Sequence, residues 1–140
     1  MASKVFLDAN ILLDFTLKRA EYEQSKKIIS LAVDGTIEAY ITPSIVHIIG
    51  YWLAKAYGNL KAKELLLSLL TDITVIDISH EIVVNSLLSK MNDIEDALQY
   101  FTAIHHKIDY FVSRDKTLQK QGSPTLPIYT PKEFLEEYRL

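Results

Sequence analysis

The stretch VFLDANILLDF, residues 5–15, decides the fold of this chain. Three apolar residues lead to Asp8, and the apolar residues that follow, Ile11, Leu12 and Phe15, have helical spacing. The stretch therefore predicts a short buried strand, a carboxylate at its end and then a helix. In open α/β sheets, ligands bind beyond the carboxyl ends of the strands, so Asp8 is a candidate functional residue.

Strands and helices alternate along the rest of the chain. The other predicted strands are residues 38–41, 73–77, 109–112 and 127–129. Side-chain caps are predicted to begin helices at Thr42, Ser79, Asn92 (with Glu95 as its capping-box partner) and Thr130. This alternation predicts one α/β domain over residues 1–140, with a central, mostly parallel sheet of about five strands covered on both faces.

Composition excludes several classes of protein. A chain of 140 residues with 49% hydrophobic and 24% charged residues is typical of one soluble domain. No apolar stretch approaches the ~18 residues of a membrane span, and the first residues lack the apolar core of a signal peptide. Without cysteine there is no thiolate metal site, and we expect a cytoplasmic protein. The net charge of −3 disfavours passive nucleic-acid binding more than it disfavours metal-assisted cleavage.

Four aspartates are predicted to meet at one edge of the sheet. Asp8 ends the first strand, and Asp115 lies just beyond the fourth. Asp93 and Asp96 lie in the predicted first turn of a helix that faces the same edge, and their spacing puts them on one helical face. The helix dipole alone also favours aspartate in a first turn, and Asp8 and Asp115 also suit caps or turns.

Carboxylates so close together need compensation. Two of them ~4 Å apart repel by about 4 kcal/mol at an effective dielectric constant near 20, so one is protonated or a divalent cation lies between them. An all-oxygen set favours Mg²⁺ or Mn²⁺. One or two such ions are sufficient for hydrolysis of a phosphodiester.

Three motifs in this order resemble those of the PIN-domain family. They are VFLDANILLD at residues 5–14, DIEDALQ at residues 93–99 with Ala103 after it, and FVSRD at residues 111–115. The segment TPKEFL at residues 130–135 is similar to the helix that closes many members. Each motif alone is weak, but together they cover essentially the whole chain.

The resemblance implies a three-layer α/β/α sandwich and Mg²⁺- or Mn²⁺-dependent cleavage of RNA. Many small members are toxins of toxin–antitoxin pairs, which form homodimers and are inhibited by an antitoxin peptide laid across the active-site groove. Carried over by position, Asp8, Asp96 and Asp115 are metal-binding acids and Asp93 is a fourth. Small polar residues beside metal ligands commonly orient them, and this role falls to the two remaining motif positions, Asn10 and Ser113.

One departure from the family concerns the helix after the second strand, which usually carries a glutamate. Here that helix begins PSIVHIIGYWL, residues 43–53, and contains no acid. His47 is the titratable side chain nearest the expected place. It is either a nitrogen ligand, a hydrogen-bond partner of a metal-bound water, or a polar residue on a packed helix. The missing acid motivates an alternative, a catalytically silent module that binds RNA or a protein partner.

Basic residues near the motifs are candidates for RNA contact. Lys18 and Arg19 follow the first helix, and Arg114 and Lys116 flank Asp115, so all four are candidates to hold RNA phosphates or simply to lie on the solvated surface. The helices after the second strand offer more apolar surface than a small sheet covers, which predicts a homodimer. A haloacid-type phosphatase is disfavoured because Asn10 stands where that class needs aspartate.

Overall fold

A five-stranded sheet forms the centre of the protein, whose computed structural model describes residues 2–138. The strands are β1 (Ser3–Leu7), β2 (Ile37–Ile41), β3 (Ile73–Val75), β4 (Tyr110–Val112) and β5 (Ile128–Tyr129). Their order across the sheet is β3-β2-β1-β4-β5, and every neighbouring pair is parallel. The predicted number of strands and their parallel arrangement are therefore confirmed.

Helices cover both faces of this sheet. They are α1 (Ala9–Thr16), α2 (Tyr22–Val33), α3 (Pro43–Tyr57), α4 (Asn59–Leu69), α5 (His80–Leu88), α6 (Ile94–His105), α7 (Lys116–Gln119) and α8 (Pro131–Glu137). The chain runs outward from β1 to β3 and then returns to the other side of β1. Because parallel crossovers are right-handed, this reversal puts α1 to α4 on one face and α5 to α7 on the other. Helix α8 packs on α2 and β5 and completes the first face of a three-layer α/β/α sandwich.

The core is densest around β1, the central strand. Val5, Phe6 and Leu7 are fully buried, because a strand covered on both faces exposes neither set of its side chains. Phe6 stacks on Phe111 of the neighbouring β4, with ring centroids 4.8 Å apart. Residues 8 and 113–115 extend from this packed centre, so the candidate site stands directly on the core.

Side-chain caps define where most helices begin. The hydroxyls of Thr42 and Ser79 accept the backbone N–H groups of α3 and α5, and Thr130 forms a complete capping box with Glu133. The predicted cap at Asn92 is wrong by one residue. Asp93 caps α6 instead, since its carboxylate accepts the backbone N–H of Asp96 and its charge suits the positive end of the helix.

No helix within residues 2–138 combines the length and the apolar character needed to cross a membrane.

Candidate active site

The candidate site lies where the direction of the chain reverses across the sheet. β1 and β4 are neighbours, but the segments that follow them leave towards opposite edges, which opens a crevice at their carboxyl ends. Asp8 follows β1 directly, and its backbone N–H donates to the carbonyl of Val112 at the end of β4, at 3.0 Å. The sheet thus fixes the backbone of the first candidate acid.

Two hydrogen bonds orient the Asp8 carboxylate. Its Oδ1 accepts the Ala9 backbone N–H at 2.8 Å as the cap of α1, and its Oδ2 accepts the Ser113 hydroxyl at 2.7 Å. Burial raises the pKa of Asp8, and the negative charge of Asp115 raises it further. The hydrogen bonds and the Arg114 charge oppose this increase. Ser113 therefore stabilises the ionised form of a carboxylate that burial disfavours.

Asp115 is held in a similar way. Its Oδ1 accepts the backbone N–H groups of Thr117 and Leu118, at 2.9 and 3.3 Å, and thereby caps α7. Its own N–H donates to the Ser113 hydroxyl at 3.1 Å. Ser113 is thus bonded to both acids at the ends of β1 and β4.

The start of α6 adds further acids. The Asp93 carboxylate accepts the backbone N–H of Asp96 at 2.9 Å, so Asp93 precedes the helix as its cap rather than lying in its first turn. Glu95, which the sequence analysis named only as a capping-box partner of Asn92, is also affected by the charges of this cluster. Burial is the largest cause of its raised pKa, followed by the charges of Asp8 and Asp93. The signal for Glu95 was its place between Asp93 and Asp96.

Asp96 also has a pKa that burial and neighbouring charges change. Its pKa is raised to about 7. Burial is the largest cause, followed by the charges of Asp93, Asp8, Asp115 and Glu95. Side chains from three distant parts of the sequence therefore act on one another through space. The charges of the three other predicted acids therefore all act on Asp96.

The side chains of this cluster suit a hard divalent cation. All candidate donors are oxygens, which Mg²⁺ and Mn²⁺ prefer, and Oδ1 of Asn10 is buried without a hydrogen-bond partner among residues 2–138. As they stand, no three Asp, Glu or His side chains of these residues are close enough together to hold one ion jointly. Mg²⁺ commonly binds one or two carboxylates and completes its shell with waters and substrate phosphates. The arrangement fits that mode.

Sequence comparison identifies the family. A family model described as PIN domain matches residues 4–117. The chain belongs to the PIN-domain family. No curated protein sequence matches it.

Solved structures share the fold of this PIN domain at low sequence identity. VapBC2 from Rickettsia felis, bound to a DNA fragment from its promoter, has a TM-score of 0.67 at 16% identity, covering 91% of this chain and 98% of that one. VapC20 from Mycobacterium tuberculosis, described as a sarcin–ricin loop cleaving toxin, has a TM-score of 0.68 at 13% identity, covering 84% and 95%. A toxin–antitoxin complex from Klebsiella pneumoniae has a TM-score of 0.66 at 20% identity, covering 87% and 94%.

A buried polar network in this PIN domain joins α6 to the start of α3. The Thr42 hydroxyl donates to Oε1 of Gln99 at 2.5 Å, and Nε2 of Gln99 donates to the Ser44 hydroxyl. Gln99 is one helical turn after Asp96, so the network fixes the helix that carries Asp96. The sequence analysis missed Gln99, although its spacing from Asp96 placed it on the same face.

His47 lies apart from this network. Its side chain is exposed and lines a groove on α3 with Gly50 and Tyr51, and it contributes to none of the pKa shifts at the acidic cluster. Of the three interpretations, this position favours a polar residue on the surface of the helix.

The predicted RNA-contacting residues lie in two groups. Lys18, at a φ of 52°, and Arg19 are exposed in the turn after α1, and Lys116 is exposed at the start of α7. Arg114 is different, because its guanidinium is engaged by the buried Asp14 of α1 through two hydrogen bonds. Part of its hydrogen-bonding capacity is thus already used within the protein.

Proposed function

We propose that this PIN domain is a metal-dependent endoribonuclease and the toxin of a toxin–antitoxin pair. The observation that carries the proposal is that Asp8, Asp96 and Asp115 lie around the switch point of the sheet, where burial and the charges of the neighbouring acids raise the pKa of Asp96. A cluster of this kind is stabilised by a divalent cation, and phosphodiester hydrolysis is the reaction that such a cation best supports.

The four acids share the binding of the metal ions, and two polar residues support them. Asp8, Asp96 and Asp115, with Asp93 as a fourth, hold one or two Mg²⁺ or Mn²⁺ ions, and Asn10 supports the set from α1. When bound, the cation lowers the pKa of a water and stabilises the charge that develops on the leaving oxygen. Ser113 keeps the Asp8 carboxylate oriented towards the crevice through its 2.7 Å hydrogen bond.

The substrate backbone is negatively charged, so the acidic site needs basic residues at its margin. Lys18 and Arg19 extend from the turn after α1, and Lys116 extends from α7, next to Asp115. We assign RNA phosphate contacts to these three side chains. Their exposure costs little desolvation, and they lie in two places: Lys116 is adjacent to Asp115, and Arg19 lines a groove with Asp14 and Arg114.

Two partners are proposed for this chain, an antitoxin and a second copy of itself. Two of the similar solved structures are described as a VapBC assembly and a toxin–antitoxin complex, which supports an antitoxin for this chain. Exposed apolar side chains on α3 and α4 support a homodimer, and they are Tyr51, Trp52, Tyr57, Leu60 and Leu67. We place the protein in the cytoplasm, where RNA and the translation machinery are found.

The test of the proposed function is cleavage of single-stranded RNA by the purified protein. We expect cleavage with Mg²⁺ or Mn²⁺, none with EDTA, and a loss of at least about 100-fold in Asp8→Asn and Asp115→Asn with folding retained. Asp72→Asn, an exposed aspartate before β3, is the matched control. Cleavage that persists in EDTA, or wild-type rates in both site variants, would contradict the proposal.

The second candidate is a catalytically silent module that binds RNA or a protein partner. It is favoured by one observation, namely that α3 (Pro43–Tyr57) contains no acid and its His47 lines an exposed groove with Gly50 and Tyr51. The two candidates differ in metal binding. A protein that binds RNA but gives no heat with millimolar Mn²⁺ and no cleavage is the silent module.

A further inference from the structure

A fully buried carboxylate lies outside the acidic cluster. Asp14 of α1 has no exposed surface, and its partner is the guanidinium of Arg114, whose side chain is 40% exposed. Nε of Arg114 donates to Oδ2 of Asp14 at 2.7 Å, and Nη2 donates to Oδ1 at 3.1 Å. The two residues are 100 positions apart in the sequence. This ion pair, called the Asp14–Arg114 clamp below, therefore ties α1 to the loop that follows β4.

The geometry of the pair makes it a rigid connection. A buried carboxylate without a partner is strongly disfavoured. The Asp14 carboxylate therefore holds the Arg114 guanidinium in place. Two parallel hydrogen bonds fix the plane of the guanidinium as well as its distance, which a lysine ammonium cannot do. Arg114 thus has one favoured position, and the backbone at residue 114 is held with it.

Residue 114 stands between the two groups that define the site. Ser113 bonds Asp8 through its hydroxyl, and its carbonyl accepts the Gln119 side chain at 2.8 Å. Asp115 donates its N–H to the same hydroxyl. A displacement of Arg114 therefore moves both the group that orients Asp8 and the backbone that carries Asp115.

We propose that Asp14 is a positioning residue of the candidate site, which holds the turn 113–115 through Arg114 and thereby sets the separation of the Asp8 and Asp115 carboxylates. Asp14 is not a ligand in this account, because both of its oxygens are engaged by Arg114 and neither reaches solvent. The proposal rests on the proposed function only where it treats Asp8 and Asp115 as metal ligands. The positioning of the turn 113–115 follows from the hydrogen bonds alone.

The first readout requires no metal. In Asp14→Asn the clamp loses its charge, and we expect hydrogen exchange of the Asp115 amide to accelerate at least about tenfold in metal-free protein. Ile49→Val, a substitution in the core packing of α3, is the control for a general loss of stability. In this variant, exchange of the Asp115 amide should accelerate no more than the lower free energy of unfolding requires. Unchanged exchange at Asp115 in a folded Asp14→Asn protein would overturn the proposal.

The second readout is the affinity for Mn²⁺. Groups that orient metal ligands typically contribute 10–100-fold in affinity, so we expect about a tenfold weaker Kd in Asp14→Asn and an unchanged Kd in Ile49→Val. A Kd equal to that of the wild type in Asp14→Asn would also overturn the proposal. A wild-type protein that binds no Mn²⁺ contradicts the proposed function instead, while amide exchange still decides the role of Asp14.

A neutral double variant covers the case in which Asp14→Asn does not fold. Asp14→Asn combined with Arg114→Gln leaves an amide oxygen opposite an amide donor, with no charge buried. We expect this protein to fold and to recover part of the Asp115 protection, because one hydrogen bond of the clamp is retained. Arg114→Lys, which keeps the charge but not the fork, should resemble Asp14→Asn in both readouts. An Arg114→Lys protein with wild-type exchange would refute the bidentate clamp.

Discussion

The hydroxyl of Ser113 lies 2.7 Å from Oδ2 of Asp8 and joins residues 105 positions apart in the sequence. It also accepts the Asp115 amide, so a single oxygen connects the carboxyl ends of β1 and β4. Most of what distinguishes this site from a chance group of acids depends on this contact, because it fixes two of them relative to the sheet.

Ser113→Ala removes this connection. The partly buried Asp8 carboxylate and the Asp115 amide both lose a partner, so we expect the free energy of unfolding to fall by about 1–3 kcal/mol. RNA cleavage should fall by about 10–100-fold, because the ligand loses its orientation. Urea unfolding and single-turnover cleavage measure the two effects. Ser68→Ala, an exposed serine of α4, is the control, and equal cleavage by the two variants would remove Ser113 from the site.

Asp96→Asn should stabilise the metal-free protein at neutral and higher pH. The folded-state pKa of Asp96 is raised to about 7, above its value in the unfolded chain. The stability contributed by this group is therefore fully present below pH ~4 and is lost as the pH rises through about 7. Since Asp96 is partly exposed, solvent screening reduces the effect, and we expect Asn to raise Tm by roughly 2–5 °C at pH 8.

Thermal unfolding in EDTA between pH 5 and 8 tests this prediction for Asp96. The advantage of Asp96→Asn over the wild type should grow with pH, whereas Asp72→Asn should show no such trend. A lower Tm for Asp96→Asn at pH 8 would mean that the surrounding acids do not disfavour its charge.

Phe111→Ala should be the most destabilising of these substitutions. Phe111 is fully buried and stacks on Phe6 directly beneath the crevice. Removing the ring leaves a cavity between β1 and β4, and comparable substitutions cost about 3–5 kcal/mol. Chemical denaturation measures the loss. Phe111→Leu, which keeps most of the volume, should cost clearly less, and equal losses in the two variants would show that the aromatic ring itself, rather than the filled volume, provides the stability.

The exposed aromatic residues of α3 are expected to form part of a homodimer interface. Tyr51 is 57% exposed and Trp52 is 42% exposed, and both lie against Lys55, whose Nζ is 5.7 Å from each ring. Sedimentation velocity should show a dimer for the wild type and a monomer for Tyr51→Ser combined with Trp52→Ser. Val33→Ser, an exposed apolar residue of α2, should remain dimeric. A dimer in the double variant would place the interface elsewhere.

The fold was largely predictable because its signals are local. The apolar run before Asp8, the caps at Thr42, Ser79 and Thr130, and the alternation of strands and helices each depend on a few neighbouring residues. The edge that carries Asp8 and Asp115 followed from the same pattern, because parallel strands end on one side.

The parts that escaped prediction depend on contacts distant in sequence or on small energy differences. Asp14 is the last residue of the first motif, but nothing near it in the sequence indicated a partner at Arg114. Gln99 gained its role only when α6 packed against Ser44. At the start of α6, Asn92 and Asp93 are both good caps, and a carboxylate favoured by the helix dipole prevailed.

Titration of the wild-type protein with Mn²⁺ by calorimetry tests the central claim most directly. We predict saturable binding in the millimolar range or tighter, weakened at least about tenfold in Asp8→Asn and in Asp96→Asn and unchanged in Asp72→Asn. No binding of Mn²⁺ by the folded wild type, or equal affinity in all four proteins, would contradict the assignment of this acidic cluster as a metal site.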